Sequence, residues 1–131
     1  MGSSQASVLL NGLRVMIVED ELLLAMELEE RLQEHGCTVI GPVSRAAKAM
    51  DLLEAEHPDA VVLDLNLHGE RPIALAEAME ARRVPFVIVT GYVGRGSGDS
   101  ALERAPRVGK PFRTEELMRV LALTVAGAQA V

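Results

Sequence analysis

Aromatic residues are nearly missing from this chain: tryptophan is absent, and Phe86, Phe112 and Tyr92 make up the whole 2%. A surface that stacks nucleic-acid bases on aromatic rings is therefore poorly supplied. The core has to be built from Leu, Val, Ile, Ala and Met instead. Cysteine is equally scarce. Cys37 stands alone, so no internal disulfide can form, and a single thiol suits a reducing compartment. Basic charge is outnumbered, with 13 Lys and Arg against 19 Asp and Glu for a net charge of -6. That balance argues against a nucleic-acid surface, because phosphate binding needs clustered cations. No apolar run approaches the length that spans a bilayer, and Met1 to Ser7 lacks the basic-then-apolar layout of a secretory signal. Internal repeats and low-complexity tracts are also absent. What is present is apolar material: hydrophobic residues make up 49% of the 131 positions, enough for one domain around one core. The chain reads as a soluble, cytoplasmic globular protein with no nucleic-acid or membrane partner.

Periodicity divides the chain into alternating strands and helices. Leu13 to Val18 is a short, nearly continuous apolar run, the pattern of a strand buried on both faces. Glu19, Asp20 and Glu21 follow it, and Asp20 is a candidate cap for the next helix. Leu22 to His35 carries Leu24, Leu28 and Leu32 at helical spacing, and Gly36 suits a left-handed stop. Cys37 to Ile40 predicts a second strand, halted by Gly41-Pro42. Ser44 is placed to cap a helix running to about Glu56, which His57-Pro58 closes. Ala60 to Leu63 predicts a third strand that ends on Asp64. After a loop with His68 and Gly69 comes a helix from about Pro72 to Arg82, then a fourth strand, Pro85 to Val89, ending on Thr90-Gly91.

From Gly91 to Pro106 the pattern weakens. Four glycines, Gly91, Gly94, Gly96 and Gly98, each cost a helix about 1 kcal/mol relative to alanine. The helix that alternation requires there is expected to be short or mobile. Arg107 to Gly109 predicts a brief last strand, and Thr114 is a candidate cap for a closing helix over Glu115 to about Ala126. These elements place a domain at residues 13–126, with tails at 1–12 and 127–131. Strand–helix alternation repeated about five times implies a parallel sheet with helices on both faces.

In such sheets ligands bind at the carboxyl ends of the strands, so the residues just past the strands matter most. They are Glu19 and Asp20, Asp64, Thr90, and Lys110 before Pro111. Each has a bland reading: helix-start acids are usually caps, a threonine before glycine is usually a turn residue, and a lysine before proline is usually surface. Asp64 resists that reading, because a carboxylate ending an apolar strand must be solvated or paired. The joint placement of all five at strand ends is the informative signal.

The chain resembles the receiver domain of two-component response regulators from Leu13 to about Ala126. The matching stretches are Ile17-Val18-Glu19-Asp20-Glu21, Val62-Leu63-Asp64-Leu65-Asn66, Val89-Thr90-Gly91 and Lys110-Pro111-Phe112. The resemblance implies a flavodoxin-like (βα)5 doubly wound parallel sheet with strand order 2-1-3-4-5. It implies that Asp64 is the phosphoacceptor of a phosphorelay, a carboxylate nucleophile. Glu19, Asp20, Asp64 and the backbone carbonyl of Asn66 would hold Mg2+. Thr90 would donate its hydroxyl to a phosphoryl oxygen, and Lys110 would pair first with Asp64 and then with the phosphoryl group. Pro111 would follow a cis peptide bond. The donor would be a sensor histidine kinase or a histidine phosphotransfer protein, and the output would be altered binding of a downstream protein. The resemblance implies no enzyme beyond the domain's own phosphotransfer and dephosphorylation. A stand-alone receiver is the expectation; a pseudo-receiver that is never phosphorylated, or a receiver cut from a longer regulator, is the alternative.

Two positions depart from the family's usual pattern. Receivers mostly carry Tyr or Phe three residues before the lysine, where this chain has Arg107. Gly91-Tyr92 follows Thr90 in place of a small residue such as alanine. The Thr-Gly-Tyr run with its glycine-rich sequel is similar to a subgroup of receivers common in alphaproteobacteria, whose partner kinases tend to be of the HWE or a related type. The departure predicts that the loop from Gly91 to Pro106 orders on phosphorylation, with Tyr92 as reporter.

Other readings fare worse. A haloacid-dehalogenase-like phosphatase needs a second aspartate two residues after the nucleophile, where this chain has Asn66, and places the nucleophile on the first strand. A dinucleotide-binding turn would need Gly-x-Gly-x-x-Gly after the first strand, where the acids here would repel a pyrophosphate. His68 reads as a solvated loop histidine, His35 and His57 as helix-end residues, and Cys37 as a small buried apolar residue.

Overall fold

A computed structural model describes residues 2–91 and 100–129. Five parallel strands form one sheet in the order β2-β1-β3-β4-β5. They are β1 (Arg14–Val18), β2 (Thr38–Val43), β3 (Ala60–Asp64), β4 (Phe86–Thr90) and β5 (Arg107–Gly109). The helices are α1 (Gly2–Leu10), α2 (Leu22–Glu34), α3 (Ala46–Glu56), α4 (Ile73–Ala81), α5 (Ala101–Arg104) and α6 (Thr114–Gln129). The topology is the flavodoxin-like one that the receiver resemblance implies.

Side chains alternate between two cores because successive strand residues face opposite sides. Val15, Ile17, Val62, Val87, Val89 and Val108 point to the α1, α2 and α6 side, meeting Leu28, Leu32, Leu117, Leu121 and Val125. Met16, Val18, Val61, Leu63, Phe86 and Ile88 point to the α3, α4 and α5 side, meeting Leu53, Leu75, Met79 and Leu102. The central strands β3 and β4 are buried along their whole length, which is why they read as unbroken Val/Ile/Leu runs. Each large side chain buried this way is worth about 1.5–3 kcal/mol.

Residues 2–10 are a helix where a tail is expected. The signal lies in Ala6 and Leu10, four apart and on one face. Both are buried in the core that α2 and α6 share, whereas Val8 is 78% exposed. A nine-residue helix is marginal alone in water, so α1 is held by what it packs on. At the other end, α6 extends to Gln129, past the expected stop near Ala126.

The second strand also outruns its expectation. It continues through Gly41-Pro42 to Val43, with a register irregularity against β1 between Met16 and Val18. β2 is an edge strand, where a missing N–H is tolerated. Gly41 has φ +88, and a Cβ there would meet the Val43 nitrogen at 2.8 Å. The Gly41-Pro42 and Lys110-Pro111 bonds are both cis, the second as the resemblance implies.

Three candidate caps do not cap as expected. Glu21 and Arg45 occupy the N-cap positions of α2 and α3, neither with a side-chain cap bond, so Asp20 and Ser44 are not the caps. Thr114 opens α6, but its hydroxyl donates to Glu27 Oε2 at 2.8 Å. Gly36 stops α2 as expected, with φ +86. Among the described residues, the segment between β4 and β5 forms the four-residue α5, with Ser100 accepting from the Glu103 amide at 3.3 Å. The expectations for Tyr92 and for the glycine-rich run from residue 92 to 99 lie outside the described residues. Among the described residues, no helix is long and apolar enough to cross a membrane.

Candidate functional site: a carboxylate cluster facing one lysine

The sheet delivers the predicted residues to one rim. β1 ends on Val18, so Glu19 and Asp20 leave its carboxyl end. β3 ends on Asp64 itself, which pairs in register with Val89 of β4. Thr90, the last residue of β4, pairs with Gly109 of β5. Backbone bonds continue past the strands: the Leu65 amide donates to the Val89 carbonyl at 3.0 Å and the Lys110 amide to the Thr90 carbonyl at 2.7 Å. The side-chain carriers therefore share a hydrogen-bonded frame.

Glu19, Asp20 and Asp64 each bring a carboxylate oxygen within 4.8 Å of the others. Glu19 and Asp64 are buried, at 2% and 3% exposure, and Thr90 at 5%. Among the described residues, one amine answers them. Lys110 Nζ lies 3.3 Å from Glu19 Oε1, 3.1 Å from Glu21 Oε1 and 3.6 Å from Asp64 Oδ1. Local amides order the acids. The Glu21 amide donates to Glu19 Oε2 at 3.0 Å, Asn66 to Asp64 Oδ1 at 3.2 Å, and His68 to Asp20 Oδ2 at 3.0 Å. His68 (φ +52) thus contributes its backbone N–H. Glu19 Oε1 is buried without a hydrogen-bond partner among the described residues.

The electrostatics follow from crowding. Burial pushes the Asp64 carboxyl up to about 7; the Asn66 amide opposes this, Glu19 and Asp20 reinforce it, and Lys110 pulls back. The His68 amide holds Asp20 below the usual carboxylate range against the effect of burial. Burial works against the Lys110 ammonium, but Glu21, Glu19 and Asp64 outweigh it and hold the amine above its ordinary value. Such opposed shifts in one cleft mark a site built for chemistry more often than for stability.

All the sequence-selected residues meet here: Glu19, Asp20, Asp64 and Asn66, with Thr90 and Lys110 on the neighbouring strand ends. Glu21 was missed as a site residue. Its signal was its place directly after Glu19-Asp20, where it reads as an ordinary first-turn acid. Arg107, at the usual aromatic position, turns toward α5. Its Nη2 donates to the Leu102 carbonyl at 2.8 Å, and it lies 3.8 Å from Glu103, which Arg71 also meets at 3.4 Å. Cys37 is buried, its thiol pushed up to about 11 by desolvation. Away from the rim, Ser7 Oγ and His35 Nδ1 share a 2.6 Å hydrogen bond, and His35 Nε2 lies 3.6 Å from Glu115.

A sheet of this order with acids, a hydroxyl and a lysine at the carboxyl ends of its strands is the arrangement of a signalling receiver. The family model described as the response regulator receiver domain matches residues 15–122, and the chain belongs to that family. The transcriptional regulatory protein PdtaR of Mycobacterium tuberculosis is 32% identical over 120 residues, covering 86% of this chain and 57% of that protein. The phyllosphere-induced regulator PhyR of Methylorubrum extorquens is 28% identical over 111 residues, covering 82% of this chain and 42% of that protein. The chain spans roughly half the length of these curated relatives. Among solved structures, PhyR from Brucella abortus superposes with TM-score 0.78 at 26% identity, over 98% of this chain and 53% of that one. The receiver domain of sensor histidine kinase PA1611 from Pseudomonas aeruginosa, solved with magnesium in its active-site cleft, superposes with TM-score 0.74 at 25% identity. That match covers 88% of this chain and 98% of the other.

Proposed function

We propose that this receiver accepts a phosphoryl group on Asp64, with Mg2+ as cofactor, from a sensor histidine kinase or a histidine phosphotransfer protein. The observation that carries the reading is the imbalance at the rim among the described residues: three converging carboxylates, one buried oxygen without a hydrogen-bond partner, and a single lysine. The donor set is all oxygen, as a small hard dication requires, so Glu19, Asp20, Asp64 and the Asn66 carbonyl would hold the ion. When bound, Mg2+ supplies the positive charge that lets an anionic carboxylate approach an anionic phosphoryl group. The magnesium in the PA1611 receiver supports the same assignment.

The chain's own residues do the rest. Asp64 is the nucleophile, aimed by the Asn66 amide at 3.2 Å. Lys110 neutralises Asp64 before transfer and follows the charge to a phosphoryl oxygen afterwards. Thr90 donates its hydroxyl to another phosphoryl oxygen. The chemistry is limited to loading and hydrolysis of this one group, so the protein is a switch that changes partner binding. The Thr90-Gly91-Tyr92 run favours a donor of the HWE type.

The test is intact mass after incubation with phosphoramidate, with and without Mg2+, beside Asp64→Asn. A Mg2+-dependent gain of one phosphoryl group, absent in the variant, is the expected result. No gain in the wild type with Mg2+ bound would leave an unphosphorylated interaction module as the better reading.

A further inference from the structure

Lys110 is one cation among several anions, and its closest contact is not the phosphoacceptor. Nζ donates to Glu21 Oε1 at 3.1 Å and to Glu19 Oε2 at 3.4 Å, whereas Asp64 Oδ1 lies at 3.6 Å. Glu21 differs from the other two acids. It stands outside the group of three whose oxygens converge, and its side chain is 62% exposed while that of Lys110 is only 19% exposed. Its backbone is already committed. Glu21 is the N-cap residue of α2, with φ -86 and ψ 108, and its amide holds Glu19. The side chain is therefore held at the rim by an ordered backbone and reaches inward to the amine.

We propose that Glu21 is a positioning residue for Lys110: it draws the ammonium toward the rim, away from Asp64, and its release sets how readily Lys110 meets an arriving phosphoryl group. The proposal rests on Asp64 being the phosphoacceptor. If the three clustered acids spend their charge on a dication, Glu21 is the carboxylate left to compete for the amine. A pair with one partner exposed to water is weak enough to break in every cycle. It acts as a brake on loading.

The test uses phosphoramidate with the full chain and Mg2+. Asp64 Oδ forms a bond to phosphorus as the donor's P–N bond breaks, and the nitrogen takes up a proton and leaves as ammonia. Glu21→Gln is expected to raise the loading rate by about 2- to 5-fold. Glu21→Asp keeps the charge but withdraws the carboxylate by one methylene, and is expected to load faster as well. In a Lys110→Ala background, Glu21→Gln is expected to change nothing. A Glu21→Asp rate equal to wild type would assign the effect to net charge and overturn the proposal. So would an equal gain in the Lys110→Ala background. A second readout needs no phosphoryl transfer: the NMR shifts of the Lys110 ε-methylene in the Mg2+-loaded protein should move in Glu21→Gln, and unchanged shifts would also overturn it. A wild type that never loads, with those shifts moving, would fault the phosphoacceptor reading and leave the Glu21–Lys110 contact standing.

Discussion

Two carboxylate oxygens are buried without a hydrogen-bond partner among the described residues, Glu19 Oε1 and Glu115 Oε2, and their surroundings differ in sign. Around Glu115 the neighbours are basic side chains: Arg31 lies 3.4 Å from one oxygen, and His35, itself hydrogen-bonded to Ser7, lies 3.6 Å from the other. Three helices, α1, α2 and α6, meet there. Around Glu19 the acids accumulate. Asp20, Glu21 and Asp64 surround it, and Lys110 is the cation shared by Glu19, Glu21 and Asp64. Among the described residues, one region sets two basic side chains beside one acid; the other shares a single cation among three acids. A fold tolerates such a deficit where function needs it.

The largest test of this contrast is Asp64→Asn in metal-free protein. Asp64 titrates near 7 when folded, against 3.8 for the ordinary carboxyl. The folded state therefore keeps a proton that the unfolded chain has lost, and stability must fall as pH rises from about 4 through about 7. At about pH 8, Asp64→Asn should be more stable than wild type by up to about 4 kcal/mol, read by urea unfolding. Its pH dependence should also be flatter. Equal stabilities would break the contrast. Leu10→Ala probes the other region through its apolar anchor and should cost about 3 kcal/mol, with loss of amide protection across α1. The smallest effect belongs to the polar clasp. Ser7→Ala leaves His35 Nδ1 without its 2.6 Å partner and should cost about 1 kcal/mol in thermal unfolding.

The rim and the sheet were legible in the sequence for a shared reason. Strands buried on both faces must be apolar throughout, so Glu19, Asp64 and Thr90 stand out at their ends, and the strand order that the receiver resemblance implies brings those ends together. Elements that depend on distant partners were not legible. α1 opens with Gly2, Ser3 and Ser4 and carries no acid in its first turn, so local preference says little; Ala6 and Leu10 form a helix because α2 and α6 offer a surface. The caps failed likewise. A cap is worth about 1 kcal/mol, and a long-range partner of similar worth displaces it: the His68 amide claims Asp20, and Glu27 claims Thr114. Arg107 was marked as an aromatic missing from its place, but only the fold reveals the Leu102 carbonyl that receives its guanidinium.

Because Asp64, Thr90 and Lys110 extend three adjacent strands, the sheet works as a ruler. Its divisions are the strand spacing of about 4.8 Å, and Asp64 and Lys110 stand two divisions apart, with Lys110 two residues past the level of Asp64, so roughly 10 Å or more separates their backbones. A short acid and a long amine together bridge that interval, which is why their charged ends meet at 3.6 Å. A shorter amine at position 110 would fall short of any group carried on Asp64, however faithfully its charge were kept.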